Sequence, residues 1–189
     1  MSTVVLNNKN WDLGGYLQSE KYWDHCRDLV LSYLELKDEY NELIDNKYGD
    51  LLSLNTCALH VRRGDYLMFP DYHPVCRNDY YRDAISQFDN ETIFIVFSDD
   101  IEFCKKNFIG DRFKFFDDGD KTRGGEIVIE HNVMARCKNI ITANSSFSLW
   151  ASILNKNTNK KIVCPKNWFG PALAGHQLQD MYPKNAIIL

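Results

Sequence analysis

Short runs of apolar residues alternate along this chain with stretches in which apolar positions return every three or four residues. The runs predict strands at Cys57 to Arg62, Thr92 to Phe97, Arg112 to Phe116, Lys138 to Thr142 and Lys161 to Cys164. Ile93-Phe94-Ile95-Val96-Phe97 has no polar face, as a strand covered by helices on both sides requires. Between the runs, helical spacing predicts helices at Asp79 to Phe88, Asp100 to Phe108, Gly125 to Ala135 and Ser146 to Leu154, with Tyr81, Ala84, Ile85 and Phe88 sharing one face of the first. Strand and helix in alternation imply an α/β fold with a doubly wound, mostly parallel sheet. Ahead of it, from Tyr16 to about Asn46, Cys26, Leu29, Val30, Tyr33 and Leu34 repeat at three and four, as do Leu36, Tyr40, Leu43 and Ile44. Residues 1–50 are therefore expected to form a helical approach segment and residues 51–189 the sheet domain.

A chain of 189 residues is long enough for one substantial core. A formal net charge of −4 argues against a general nucleic-acid partner, so any anion must be bound by local groups. The first eight residues lack the basic and apolar blocks of a signal peptide, and no apolar run approaches the length of a membrane span. A soluble, cytoplasmic chain is the expectation. Cys26, Cys57, Cys76, Cys104, Cys137 and Cys164 are scattered singly with no Cys-x-x-Cys pair, which predicts reduced thiols and no zinc site. The sequons at Asn90 and Asn144 matter only in a secreted protein.

In a parallel sheet the residues just after each strand share one rim, where ligands collect. On that rim His60-Val61-Arg62-Arg63-Gly64-Asp65-Tyr66 places two guanidiniums beside a glycine. Arginine matches phosphate oxygens two at a time, and glycine lets backbone approach a bulky anion. Paired arginines are also common carboxylate partners, and Arg63-Gly64-Asp65 would matter as an adhesion tripeptide only in an exported chain. Asn144-Ser145-Ser146-Phe147 opens a helix directly after a strand, where free N–H groups and hydroxyls bind phosphate; the same residues are ordinary caps. Ser98-Asp99-Asp100 offers carboxylates to a nucleobase or ribose, or starts a helix. A phospho-accepting signalling domain would need a rim lysine that this sequence lacks. Asp118-Gly119-Asp120 has the Asp-x-Asp spacing of a diphosphate-bound cation, but it is also turn chemistry, and with arginine in place no metal is expected. His131, beside Ile127 and Met134 on one helix face, reads as a packed histidine.

These segments resemble a known family, the α-1,2-fucosyltransferases of glycosyltransferase family 11. The His60 to Tyr66 segment is similar to the family's hallmark. It is followed in family order by Tyr80-Tyr81, Phe97-Ser98-Asp99-Asp100, Met134-Ala135-Arg136-Cys137-Lys138, Asn144-Ser145-Ser146-Phe147-Ser148-Leu149-Trp150 and Pro165-Lys166-Asn167-Trp168-Phe169; Gly14 to Trp23 resembles an upstream family segment. The resemblance implies a GT-B fold whose Rossmann-like half holds GDP-fucose, and inverting, metal-independent transfer of L-fucose to a glycan acceptor that contains galactose. On it, Arg62 binds the diphosphate and stabilises the leaving GDP; His60 and Asp99 lie near the guanosine; Arg63, Gly64, Asp100 and Asn144 belong to the donor site; Ser145, Ser146 and Phe147 close over the phosphates; and Asp65 is the candidate base. No cofactor beyond the donor substrate is implied. Ser146 and Leu149 depart from the family's usual threonine and tryptophan, and the family's glycine-rich opening turn is absent. The sequence is therefore expected to be the donor-binding half. Its alternatives to a working transferase are a non-catalytic GDP-sugar-binding module and a half that needs a partner chain or oligomer.

Overall fold

The computed structural model describes residues 18–116 and 125–189. Six strands form one sheet: β1 (Thr56–Val61), β2 (Ile93–Ser98), β3 (Phe113–Phe115), β4 (Asn139–Ile141), β5 (Ile162–Cys164) and β6 (Ile187–Ile188). Their order is β3-β2-β1-β4-β5-β6, and every neighbouring pair is parallel. The chain therefore builds outward from β1 to β3, then returns to the other side of β1 and builds outward again. The reversal falls between β1 and β4, which makes their carboxyl ends the switch point of the sheet.

The helices are α1 (Arg27–Tyr33), α2 (Asp38–Ser53), α3 (Asn78–Ile85), α4 (Ile101–Asn107), α5 (Gly125–Arg136) and α6 (Ser146–Leu154). Alternate residues of the central strands feed two cores. Ala58, Ile95, Phe97, Ile140 and Ile162 meet Ile44 of α2 and Ile129, Val133 and Met134 of α5 on one face. Cys57, Leu59, Val61, Phe94, Val96 and Ile141 meet Tyr80, Tyr81 and Ala84 of α3 and Cys104 of α4 on the other. The six cysteines are free thiols, four of them buried.

Two features depart from the sequence pattern. The helical stretch before the sheet is broken: 3-10 turns at Glu20–Tyr22 and Asp24–Cys26 precede α1, and α2 restarts at Asp38 with Lys37 extended at its cap (ψ 148°). Leu29, Tyr33, Leu34 and Leu43, which the spacing placed on an apolar stripe, are exposed. Burial falls instead to Ile44, with Tyr40, Tyr48, Leu51 and Leu52 packed around it. The other departure is β6, which joins β5 through Val163–Ile187 and Cys164–Ile188 after Asn185 turns the chain at φ 66°.

Candidate active site

At the switch point the chain opens a cleft of about 1410 Å³. It is lined by the end of β1 (His60, Arg62), the start of the following loop (Asp65, Tyr66), the end of β2 (Ser98, Asp99) and the entry to α6 (Asn144, Ser145, Ser146, Phe147). The far part of that loop, through His73, and the loop after β5, through Phe169, close it.

Arg62 stands between two carboxylates. Its Nη2 donates to Asp65 Oδ1 at 2.7 Å, and its Nη1 lies 2.9 Å from Asp99 Oδ2. The guanidinium also sits over the Tyr66 ring, 5.4 Å from its centroid. A guanidinium has five N–H donors, so two such contacts fix its plane and leave donors for an anion. Gly64 makes the arrangement possible. A Cβ there would meet Asp99 Oδ2 at 2.6 Å, displacing the carboxylate that holds Arg62.

Arg63 turns the other way. Its Nε donates to Asp100 Oδ2 at 3.0 Å and its guanidinium covers the Phe103 ring at 3.5 Å, while its backbone N–H donates to Asp99 Oδ1 at 2.9 Å. Asp100 caps α4 by accepting from Phe103 N, and the Arg63 hydrogen bond holds its carboxyl below the usual range. Arg63, Gly64 and Asp100 thus lie outside the cleft lining and build the wall behind Arg62.

His60 is buried, with Nδ1 2.9 Å from Ser148 Oγ and its ring tilted against Phe147 at 5.7 Å. Burial, reinforced by the Arg62 charge and His131, pushes its pKa down to about 3, so the ring is neutral at pH 7. A neutral imidazole can accept as well as donate, as a nucleobase edge requires. His131 is half-buried and donates from Nε2 to the Phe147 carbonyl at 3.0 Å, which ties α5 to the first turn of α6.

Ser145 caps α6, its hydroxyl accepting from Phe147 N. The other first-turn amides have no partner within the helix, and the positive end of α6 faces the cleft. Asn144 is buried and fully engaged: Nδ2 donates to the carbonyls of Pro74 and Trp168 at 2.8 and 3.0 Å, Oδ1 accepts from Cys76, and its carbonyl accepts from Tyr66 OH. Its side chain is a staple between two loops. Asp118 and Asp120 lie outside the described residues; among the described residues no group of three or more His, Cys, Asp or Glu is placed to hold a metal.

The whole sequence, over residues 4–187, matches Glycosyl transferase family 11. The chain belongs to this family. It is 32% identical over 180 residues to the O-antigen biosynthesis glycosyltransferase WbnK of Escherichia coli, covering 89% of this chain and 59% of that protein. It is also 32% identical over 164 residues to an Escherichia coli alpha-1,2-colitosyltransferase, covering 82% of this chain and 55% of that one. The family 11 chain therefore spans little more than half the length of these curated relatives. Among solved structures it is similar to the fucosyltransferase NodZ from Bradyrhizobium, at TM-score 0.45 and 17% identity over 64% of this chain and 42% of that one. Within the family 11 chain, the cleft gathers His60, Arg62 and Asp65, then Asp99, then Asn144 to Phe147, from segments separated by 34 and 45 residues in sequence. Tyr66, His73, Phe169 and His176 also line it; Tyr66 and Phe169 lie inside the recognised motifs, whereas His73 and His176 sit in irregular loops with no periodic signal. No helix among the described residues is long and apolar enough to cross a membrane.

Proposed function

We propose that this chain binds GDP-fucose at the switch point and serves an α-1,2-fucosyltransferase that transfers L-fucose, with inversion, to a hydroxyl of a glycan. The observation that carries the reading is the placing of Arg62 and the amino end of α6 in one cleft, with neutral His60 and Asp99 beside them. Arginine and helix N–H groups suit a diphosphate; the imidazole and carboxylate suit a guanine or ribose edge. Membership of the family and the named activity of the colitosyltransferase relative support a glycosyl donor.

In the reaction the bond from the sugar's C1 to the β-phosphate oxygen breaks, and its electron pair stays on the departing GDP. Charge grows on the phosphate as the sugar becomes oxocarbenium-like. Fixed donors at Arg62 and the α6 amides stabilise that state more than the ground state, so no divalent cation is called for. Asp65, expected as the base, already accepts from Arg62. We assign it the orientation of that guanidinium.

Calorimetric titration with GDP, GDP-fucose, UDP and ADP tests the reading. Selective binding of the two guanine ligands is the expected result; equal or absent binding of all four overturns it. The colitosyltransferase relative favours one second reading, a colitosyl donor, which competition between the GDP-linked forms of the two sugars decides. Binding without turnover would leave the non-catalytic module, or a donor half that works with a partner chain.

A further inference from the structure

The ring of His60 reaches the cleft from the end of β1, and what it offers there depends on which of its two nitrogens carries the proton. A neutral imidazole has one N–H donor and one bare acceptor, and the partner of one nitrogen decides the state of the other. Burial, with the Arg62 charge and His131 beside it, keeps this ring neutral at pH 7. The residue is held fast: Phe147 tilts against the ring at 5.7 Å, and Tyr81 OH donates to the His60 carbonyl at 3.2 Å.

Nδ1 lies 2.9 Å from Ser148 Oγ. Ser148 is fully buried in the first turn of α6 and does not line the cleft. Its hydroxyl has one hydrogen to give, and two groups stand within reach of it: His60 Nδ1, and the Ser145 carbonyl at 3.3 Å. A serine inside a helix donates back to the carbonyl three or four residues earlier. With the hydroxyl hydrogen on Ser145 O, the Oγ lone pair accepts from Nδ1–H, and both contacts are hydrogen bonds. The reverse arrangement, with the hydroxyl donating to a bare Nδ1, makes one bond and leaves the Ser145 contact without a hydrogen. In a buried place the arrangement with two bonds is favoured.

A proton on Nδ1 leaves Nε2 bare. Nε2 has no hydrogen-bond partner among the described residues, yet it is not one of their enclosed unpartnered atoms, which are Trp23 Nε1, His73 Nδ1 and Thr142 Oγ1. It therefore opens on the cleft that the ring lines. A lone pair there takes an N–H donor and repels a second acceptor. Guanine presents N1–H and its 2-amino group along one edge, where adenine presents a bare N1.

We infer that Ser148 is a positioning residue for donor selection: by holding the His60 proton on Nδ1 it leaves the Nε2 lone pair to the cleft, where that nitrogen accepts from a guanine N–H. The inference rests on the donor reading above and deepens it, since it names the atom that reads the base and the hydroxyl that sets it. Ser148 acts through His60 and touches no ligand.

The test uses the full chain labelled with ¹⁵N-histidine at pH 7, with the His60 ring assigned by comparison with His60→Gln. Ring nitrogen shifts separate a protonated from a bare nitrogen. His60 should carry its proton on Nδ1 before any ligand is added, and GDP should move the Nε2 signal by more than inorganic pyrophosphate does. Calorimetry then compares GDP with ADP on the parent and on Ser148→Ala. Removing the hydroxyl releases the ring to either tautomer. The ratio of GDP to ADP affinity should then fall about 2- to 12-fold, the reach of one neutral hydrogen bond, whatever the variant loses in Tm. A proton on Nε2 in the free chain overturns the inference before any nucleotide is used. GDP binding with an unmoved Nε2 signal, or an unchanged ratio in a folded Ser148→Ala chain, overturns it and leaves the donor reading in place. Failure of GDP to bind removes both.

Discussion

Replacing Arg62 gives the sharpest measure of the donor site. Two of its five N–H donors are taken by Asp65 and Asp99, at 2.7 and 2.9 Å, and the remainder are available to phosphate oxygens. A hydrogen bond to a charged group contributes about 1.5–3 kcal/mol, and each 1.4 kcal/mol is about tenfold in affinity, so Arg62→Ala should weaken GDP binding about 10- to 140-fold. The side chain is 35% exposed, so screening at about 0.15 M salt moves the expectation toward the lower figure. Arg62→Lys restores a charge but not the fork, and a single ammonium cannot span Asp65, Asp99 and a diphosphate together. Its loss should fall between parent and alanine. The exposed ion pairs themselves contribute about 0–1 kcal/mol, so both variants should melt within a few degrees of the parent. Calorimetric titration with GDP at low and high salt measures the effect. A loss below about threefold in a folded Arg62→Ala chain would refute the assignment and place the phosphates elsewhere on the rim.

Gly64→Ala should lower GDP affinity although Gly64 lies outside the cleft lining, because its Cβ would meet Asp99 Oδ2 at 2.6 Å and displace a carboxylate that holds Arg62 and faces the nucleotide; unchanged affinity would show that the position of Asp99 does not matter to binding. His60 should make the fold acid-sensitive. Its folded pKa, about 3, lies below the unfolded value of about 6.5, so between these values the unfolded chain takes up the proton and stability falls as pH falls. From pH 7 to pH 5 the loss from this group is roughly 2 kcal/mol, and melting curves of His60→Gln should show a flatter acid limb than the parent. Asn144→Ala strands the Pro74 and Trp168 carbonyls and should cost about 2–3 kcal/mol, read as a drop of several degrees in Tm. A change of under one degree would mean that the two loops are held by other contacts.

The central strands were plain in the sequence because β1 and β2 are buried on both faces and carry unbroken apolar runs. The helical spacing of Leu29, Tyr33 and Leu34 misled, since spacing reports a stripe but not whether anything lies opposite it; these side chains face solvent. β6 has two residues, too few to show a period, and only the left-handed Asn185 before Ile187 marks it. In the site, Arg62, His60 and the entry to α6 were legible because strand ends in a parallel sheet converge. Residue type alone could not separate Arg62 from Arg63, and only the family resemblance singled out Arg62: alternation of direction along the chain sends one into the cleft and the other onto Phe103. His73 and His176, which also line the cleft, were invisible for a different reason. They come from loops whose meeting depends on backbone contacts at Tyr72 and Gly170 rather than on any pattern of side chains.

Asn144 links three parts of the molecule through one residue: the turn leaving β4, the loop after β1 at both Tyr66 and Pro74, and the loop after β5 at Trp168. Loops that hang on a common residue cannot open one at a time. Amide hydrogens in these segments should exchange as one cooperative unit rather than with three separate rates. A molecule that engages only the α6 entry would then slow exchange across loops it never contacts. Occupancy on the phosphate side would in this way set the rigidity of the wall that carries Tyr66 and Phe169.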